Sequence, residues 1–203
     1  METKRCIWNS RVRAAAVAVC ALAAMMVSAC LFDARTPEPP AVDGGPIIPL
    51  ESPERPFAAI KASLEKGNDV DYERAISEDF IFSPLPEDSL DQNLVIKPVY
   101  AGWIKQVELD VLNLILADNN VTVEFAPLPV INENTFVRFN TTYLLTLISK
   151  VVGDTTIHSG TSQVDVRNEG GNWRVTFWKD TSADDGVRSW GYLRGISRFR
   201  VLP

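Results

Sequence analysis

The chain has 203 residues, with 20 basic against 26 acidic side chains, a net charge of −6, three cysteines and one histidine. Its hydrophobic share of 46% is enough for a core, and its length suits one domain of ordinary size with appended segments. The acidic balance excludes a nucleic-acid binder held by phosphate contacts, and a single histidine with so few cysteines excludes a zinc site built from several such ligands.

Residues 1–29 divide as an export signal does. Lys4, Arg5, Arg11 and Arg13 stand against a single Glu2, and a charge-free apolar run follows over 14–27. That run is too short for a membrane span of ~20 residues. Val12 separates Arg11 from Arg13, which points to general secretion rather than the twin-arginine route. Val27-Ser28-Ala29-Cys30 then resembles the lipobox of bacterial lipoproteins. The resemblance implies a diacylated Cys30 thiol, cleavage just before it, and a membrane partner reached through that lipid. Leu31 after the cysteine, where aspartate would retain the protein in the inner membrane, implies the outer membrane, facing the periplasm. Without residues 1–29, Cys30 is the only cysteine, so no disulfide forms within one chain. The mature chain carries 16 basic and 25 acidic side chains, a net −9, and anionic head groups are not expected partners.

Residues 30–56 read as the lipidated cysteine and a linker, and residues 57–203 as the domain. Seven of the thirteen prolines fall in 31–56, which shows no sustained hydrophobic period and should run extended for at most ~80 Å at ~3.1 Å per residue. Ile47, Ile48 and Leu50 allow the last ten linker residues to dock on the domain instead. Ser52-Pro53 reads as the cap and first-turn proline of a helix through Phe57, Ile60 and Leu64 that Gly67 stops. Asp69 can cap a second short helix through Tyr72, Ala75 and Ile76, and DFIFSP reads as a strand ended by Pro84 and Pro86. A third helix is expected over 101–112, with Trp103, Val107 and Val111 on one face and Glu108 and Asp110 off it.

The period then changes to two. Val121, Val123 and Phe125 alternate with Thr122 and Glu124, and over 135–152 Val137, Phe139, Tyr143, Leu145 and Leu147 oppose Arg138, Asn140, Thr142 and Thr146. VGDTT turns the chain into a strand over 156–167, NEGGN turns it again, and NWRVTFWKDT forms the last strand, with Trp173, Val175 and Phe177 on one side. Helices first and a meander afterwards make an α+β domain, its helices packed on one face of a curved antiparallel sheet.

That element order, with FIF near the front and GGNWRVTFWKD followed by Ser189-Trp190-Gly191 near the end, resembles the nuclear transport factor 2-like superfamily, including polyketide cyclases of the SnoaL type. The resemblance spans about residues 57–195 and leaves the tail 196–203 outside. It implies a cone whose open end holds a small ligand in some members, supports acid-base catalysis in others, and serves as a dimer surface in the rest. The expectation is a non-catalytic binding or accessory module for a small apolar ligand or an envelope protein. A cyclase- or isomerase-like enzyme and a homodimeric scaffold are the alternatives.

The candidate residues each carry a plain structural alternative. Asp180 shares strand parity with Trp178 and Thr176, so the three are the pocket candidates, and a carboxylate beside an indole in a dry cone can act as a base. Its other reading is a strand-end anchor for the TSADDGVRSWG loop. His158, the lone histidine, is a candidate acid or base but suits a structural role better. Asp180, Ser182 and Asp184 alternate as in a calcium loop, but Asp185 and Gly191 stand where glycine and glutamate are needed. No metal and no cofactor is expected. Asn120 and Asn140 match glycosylation acceptors but fall in or beside strands of a chain with a bacterial signal.

Overall fold

The computed structural model describes residues 47–202 apart from 92, 93, 95 and 96. Residues 1–46, on which the expected signal, lipobox with Cys30 and most of the expected linker fall, lie outside the described residues. Chain order is α1 (Arg55–Lys66), α2 (Val70–Ala75), β1 (Ile76–Ser83), the single turn α3 (Pro86–Ser89), α4 (Lys105–Asp118), β2 (Asn119–Glu133), β3 (Phe136–Ser149), β4 (Thr155–Glu169), β5 (Asn172–Ala183) and α5 (Trp190–Phe199).

The packed chain begins ahead of Phe57. Leu50 is 2% exposed, its carbonyl accepts the Trp173 N–H at 2.8 Å, and the Ile48 N–H reaches Asp71 Oδ1 at 3.2 Å, so this end of the linker docks. In α1, Phe57, Ile60 and Leu64 face the core as their spacing requires, and Gly67 ends the helix at φ 69°, where a side chain is disfavoured. The proline of its first turn is Pro56, and the Ser52 hydroxyl donates to Glu54 rather than capping. Asp69 does not cap α2 with its side chain either. Ser63 Oγ takes the Tyr72 N–H at 2.9 Å, so an α1 residue satisfies a free donor of α2.

Strands β2 to β5 form the expected antiparallel meander, and β1 adds at the far edge parallel to β5, giving the order β1-β5-β4-β3-β2. In β3 the alternation is as the sequence predicts: Val137, Phe139, Tyr143, Leu145 and Leu147 are all at most 3% exposed. In β5 it is not. Phe177 pairs with Asp165 and Val175 with Val166, so Thr176 is an extra residue, and a second extra residue, Thr181, separates Asp180 from Ser182. A bulge shifts side-chain parity by one residue and sharpens the local twist. Trp173, Val175, Trp178 and Asp180 are therefore all buried, against the expectation that Trp178 and Asp180 oppose Trp173 and Val175. Gly160 sits where β4 meets the second bulge, and a Cβ there would lie 2.2 Å from the Ser182 carbonyl oxygen. The free edge of β2 carries Pro127 and Pro129, which share one strand parity while β2 stays paired to β3, so their missing N–H groups face outward and blunt the edge.

Two helices differ from expectation. The third begins after Gly102, at φ 59°, and runs over Lys105–Asp118 instead of 101–112. This register brings Glu108 inside, 2% exposed, where the sequence had placed it off the apolar face. The chain beyond the last strand, where the sequence reading assigns no element, carries α5 over Trp190–Phe199, capped by Ser189, whose Oγ accepts the Tyr192 N–H at 2.9 Å. It packs on α4, and its side chains enter the core.

Candidate functional site

The concave face of the sheet, α1, α4 and α5 enclose an interior where apolar and charged side chains meet. Phe57 packs edge-on to Phe139 with ring centres 5.2 Å apart, and Trp178 packs on Trp190 at the same distance. Phe125 lies 6.0 Å from both indoles. Trp178 and Asp180 are each fully buried, so neither lines an open wall. The Asp180 carboxylate accepts three hydrogen bonds: from Ser162 Oγ at 2.7 Å, from Trp178 Nε1 at 3.0 Å, and from the Gly191 N–H at 2.7 Å. The last ties β5 to the first turn of α5, where the helix dipole favours a negative charge. Residue 191 must be glycine for this approach, because a Cβ would stand 2.6 Å from Asp180 Oδ2. Burial pushes the Asp180 carboxyl above its ordinary range, and Arg194 with the three donors pulls the other way without cancelling it.

Arg194 reaches this interior from α5. Its guanidinium lies 4.3 Å from the Trp190 ring centre, 4.5 Å from Phe82 and 5.0 Å from Trp178. Nε and Nη2 donate to Glu108 Oε1 at 3.0 and 2.7 Å. The Tyr72 hydroxyl donates to the same oxygen at 2.5 Å, and Trp103 Nε1 donates to Oε2 at 2.8 Å. Nη1 has no hydrogen-bond partner, and the guanidinium's three aromatic neighbours supply its remaining surroundings. Burial pulls the guanidinium pKa down, but the charge of Glu108, with Tyr72 and Asp180 behind it, holds it above the ordinary value. Burial and the Glu108 charge raise Tyr72 well above its own. The arrangement is a neutralised ion pair in an aromatic box, with both carboxylates fully occupied.

At the rim the chemistry is different. Ser189 Oγ donates to Asp88 Oδ2, and the Ser189 carbonyl lies 3.0 Å from His158 Nδ1. Serine, histidine and aspartate therefore meet without the connectivity of a nucleophilic triad, because His158 touches the carbonyl and the hydroxyl serves as helix cap. Burial lowers the His158 pKa, against the pull of the Ser189 and Arg188 backbone. Thr176 does not join Trp178 and Asp180. Its bulge leaves it half-buried, donating to the Asp165 carbonyl at 3.3 Å. In the acidic loop Asp180 points inward while Ser182 and Asp184 are exposed, so the three do not converge. A cleft of about 370 Å³ opens between α3, the end of β5 and the approach to α5, with Asp88, Arg188 and Ser189 in its wall.

No protein-family model and no curated protein matches the chain. Solved structures do. A candidate scytalone dehydratase from Novosphingobium aromaticivorans aligns with a TM-score of 0.53 at 13% identity, over 68% of this chain and 90% of that one. A candidate calcium/calmodulin-dependent protein kinase II association domain from Xanthomonas campestris aligns at 0.50 and 14%, over 70% and 95%. A nuclear transport factor 2-like superfamily protein from Salmonella enterica gives 0.48 at 10%, over 64% and 88%. The chain shares its fold with the first two, helices on a strongly curved five-stranded sheet, which is the fold that the sequence resemblance implies. At these identities the likeness carries the fold and no activity.

Sequence reasoning reached Asp180 and Trp178 but not the residues that occupy them. Arg194, Glu108, Tyr72, Ser162 and Asp88 were missed. The available signal was the spacing of Trp190, Leu193, Arg194 and Ser197, a helical face that reads as such only if an arginine is allowed on it.

Proposed function

We propose that the chain is a lipid-anchored envelope protein whose nuclear transport factor 2-like domain is a non-catalytic binding or accessory module that meets its partner from outside the cone. The observation that carries this reading is the filled interior: Trp178, Trp190 and Arg194 stand where the fold offers a ligand space, and each is at most 2% exposed. A general base needs access to a substrate proton, and Asp180 has none. Support for the anchor is the lipobox sequence ending in Cys30. Two or three acyl chains hold a protein at a bilayer where a single chain does so only marginally. Membrane fractions of producing cells should therefore retain the protein through a high-salt wash, and Cys30→Ser should leave uncut precursor or soluble protein. A Cys30→Ser form matured and membrane-bound like the parent removes the anchor from the account.

The enzyme reading draws on one observation, that Glu108 and Asp180 both interact with Arg194. It requires α5 to undock and free them. Native protein at neutral pH should give no enhanced emission with an apolar dye such as ANS; strong enhancement would favour an opening cone and the enzyme.

A further inference from the structure

Both ends of the sheet expose aliphatic side chains, but only one of them lies where the chain enters the domain. At that end the β2–β3 hairpin carries Leu128, Val130 and Ile131, which are 64, 48 and 37% exposed. Val130 is the extra residue of a bulge between Pro129 and Ile131, and Leu128 and Ile131 lie opposite Asn140 and Arg138 on the outer face of the sheet. The Thr135 carbonyl in the hairpin turn accepts the Asn168 N–H at 3.0 Å, and Asn168 pairs with Trp173, whose own N–H is held by the Leu50 carbonyl. The segment arriving from Cys30 therefore joins the domain beside this hairpin. On the outer face the hairpin is followed by arginines. Phe136 pairs with Arg167, and the Arg138 and Arg167 guanidinium groups stand 5.7 and 5.8 Å from its ring centre. Arg167 in turn pairs with Arg174, and like charges directly opposite on neighbouring strands are unfavourable. Arg174 has Glu169 only at 3.5 Å, and its Nε has no hydrogen-bond partner, so this pair is short of acceptors.

The opposite end has exposed aliphatics of its own, Val151 and Val152 in the β3–β4 turn. Reach separates the two ends. Ile47 follows Cys30 by 17 residues, a stretch that spans at most ~53 Å at ~3.1 Å per residue. The 14 residues of β3 set the far turn ~45 Å from the hairpin at ~3.4 Å per residue. Seating Val151 on the bilayer that holds Cys30 would use nearly all of that length, whereas seating Val130 there uses little of it.

We propose that the domain rests on the bilayer through the β2–β3 hairpin, with Leu128, Val130 and Ile131 at the boundary between head groups and acyl chains and Arg167 and Arg174 on lipid phosphates. Apolar side chains lead the contact, so a zwitterionic phospholipid surface suffices, in keeping with the chain's acidic balance. The proposal rests on the lipid anchor at Cys30, and it adds the orientation of the anchored domain, with the β3–β4 turn directed away from the bilayer.

The test uses the mature, lipidated chain in vesicles of phosphatidylethanolamine and phosphatidylcholine in equal parts. With Cys30 acylated no thiol is left, so Val130→Cys and Val151→Cys each take a single nitrobenzoxadiazole label, whose emission rises on leaving water. The label at 130 is expected to emit about threefold or more above the label at 151, and to be quenched by brominated acyl chains while the label at 151 is not. Leu128→Asp with Ile131→Asp, at two exposed positions that the fold does not depend on, should bring the label at 130 down to the level at 151. Arg167→Gln should lower it partway, and an unchanged signal in that variant overturns the phosphate contact. Quenching at 151 instead of 130, at both positions alike, or at neither overturns the hairpin contact and leaves the anchor in place, as does a label at 130 that the two aspartates do not affect. Failure of the anchor shows separately, as an unacylated Cys30 in the mass of the protein, and removes the proposal with it.

Discussion

The β2–β4 meander and α5 bury their inner faces by opposite means. In the meander, Val137, Phe139, Leu145 and Leu147 present an unbroken apolar face, and each side chain is paid for by the water it sheds. In α5 the inward face carries Gly191, Arg194 and Ser197, and Arg194 is tolerated because Glu108, 86 residues away, meets it with a matching charge. Stability in the first region depends on volume, which any apolar residue of the right size supplies. In the second it depends on partners, and removing one strands the other.

The largest expected effects test that contrast directly. Phe139→Ala should cost about 3–5 kcal/mol through lost burial and the cavity left behind. Glu108→Leu should cost a similar 3–5 kcal/mol, because it leaves Arg194 charged, buried and unpaired. The two differ in repair: adding Arg194→Met to Glu108→Leu should recover part of the loss, since an apolar pair of similar volume can replace a buried ion pair, while the Tyr72 hydroxyl and the Trp103 indole N–H stay without their acceptor. Urea unfolding of the three variants beside the parent measures this, and a double variant no more stable than Glu108→Leu alone would show that α5 is not held by charge matching.

A smaller loss is expected for Asp180→Asn. The carboxylate takes donors on both oxygens, and an amide can accept on only one side, so a cost of about 1–3 kcal/mol should appear in the same unfolding assay. The loss should be localised, with faster amide exchange in the first turn of α5 and none in the meander.

The meander was legible because its alternation is continuous and its apolar residues need nothing from elsewhere. The bulge at Thr176 was not, since an extra residue in one strand shows only against its partner, and that single shift reversed the faces assigned to Trp178 and Asp180. Glu108 was placed outside for a related reason. Read alone, a glutamate on a helix belongs in water, and only its approach to Tyr72, Trp103 and Arg194 puts it inside. The apolar face of α1 and its stop at Gly67 followed from local chemistry and needed no such information, whereas its start did not, since the first-turn proline is Pro56 rather than Pro53.

The smallest expected effects are in the pH dependence. Burial holds Asp180 and Asp88 above the ordinary aspartate value of 3.8. A carboxyl raised on folding contributes stability below 3.8, and that contribution is lost as pH rises through its folded value. His158 is lowered from 6.5, so its contribution is present above 6.5 and is lost as pH falls through its folded value. Melting temperature against pH should show both losses. Asp180→Asn should flatten the first and His158→Gln the second, and a profile unchanged in both variants would mean that neither group titrates differently on folding.

Hydrogen exchange at the Trp178 indole N–H tests the filled cone most directly. That proton is donated to Asp180 and Ser162, both 3.0 Å away, in a residue with no exposed surface. In the full chain, with the signal assigned by its loss in Trp178→Phe, exchange should be as slow as for the β3 backbone amides and should require global unfolding. Exchange many times faster than those amides, under conditions where the meander stays protected, would mean that the interior opens to solvent and that the cone is a ligand site after all.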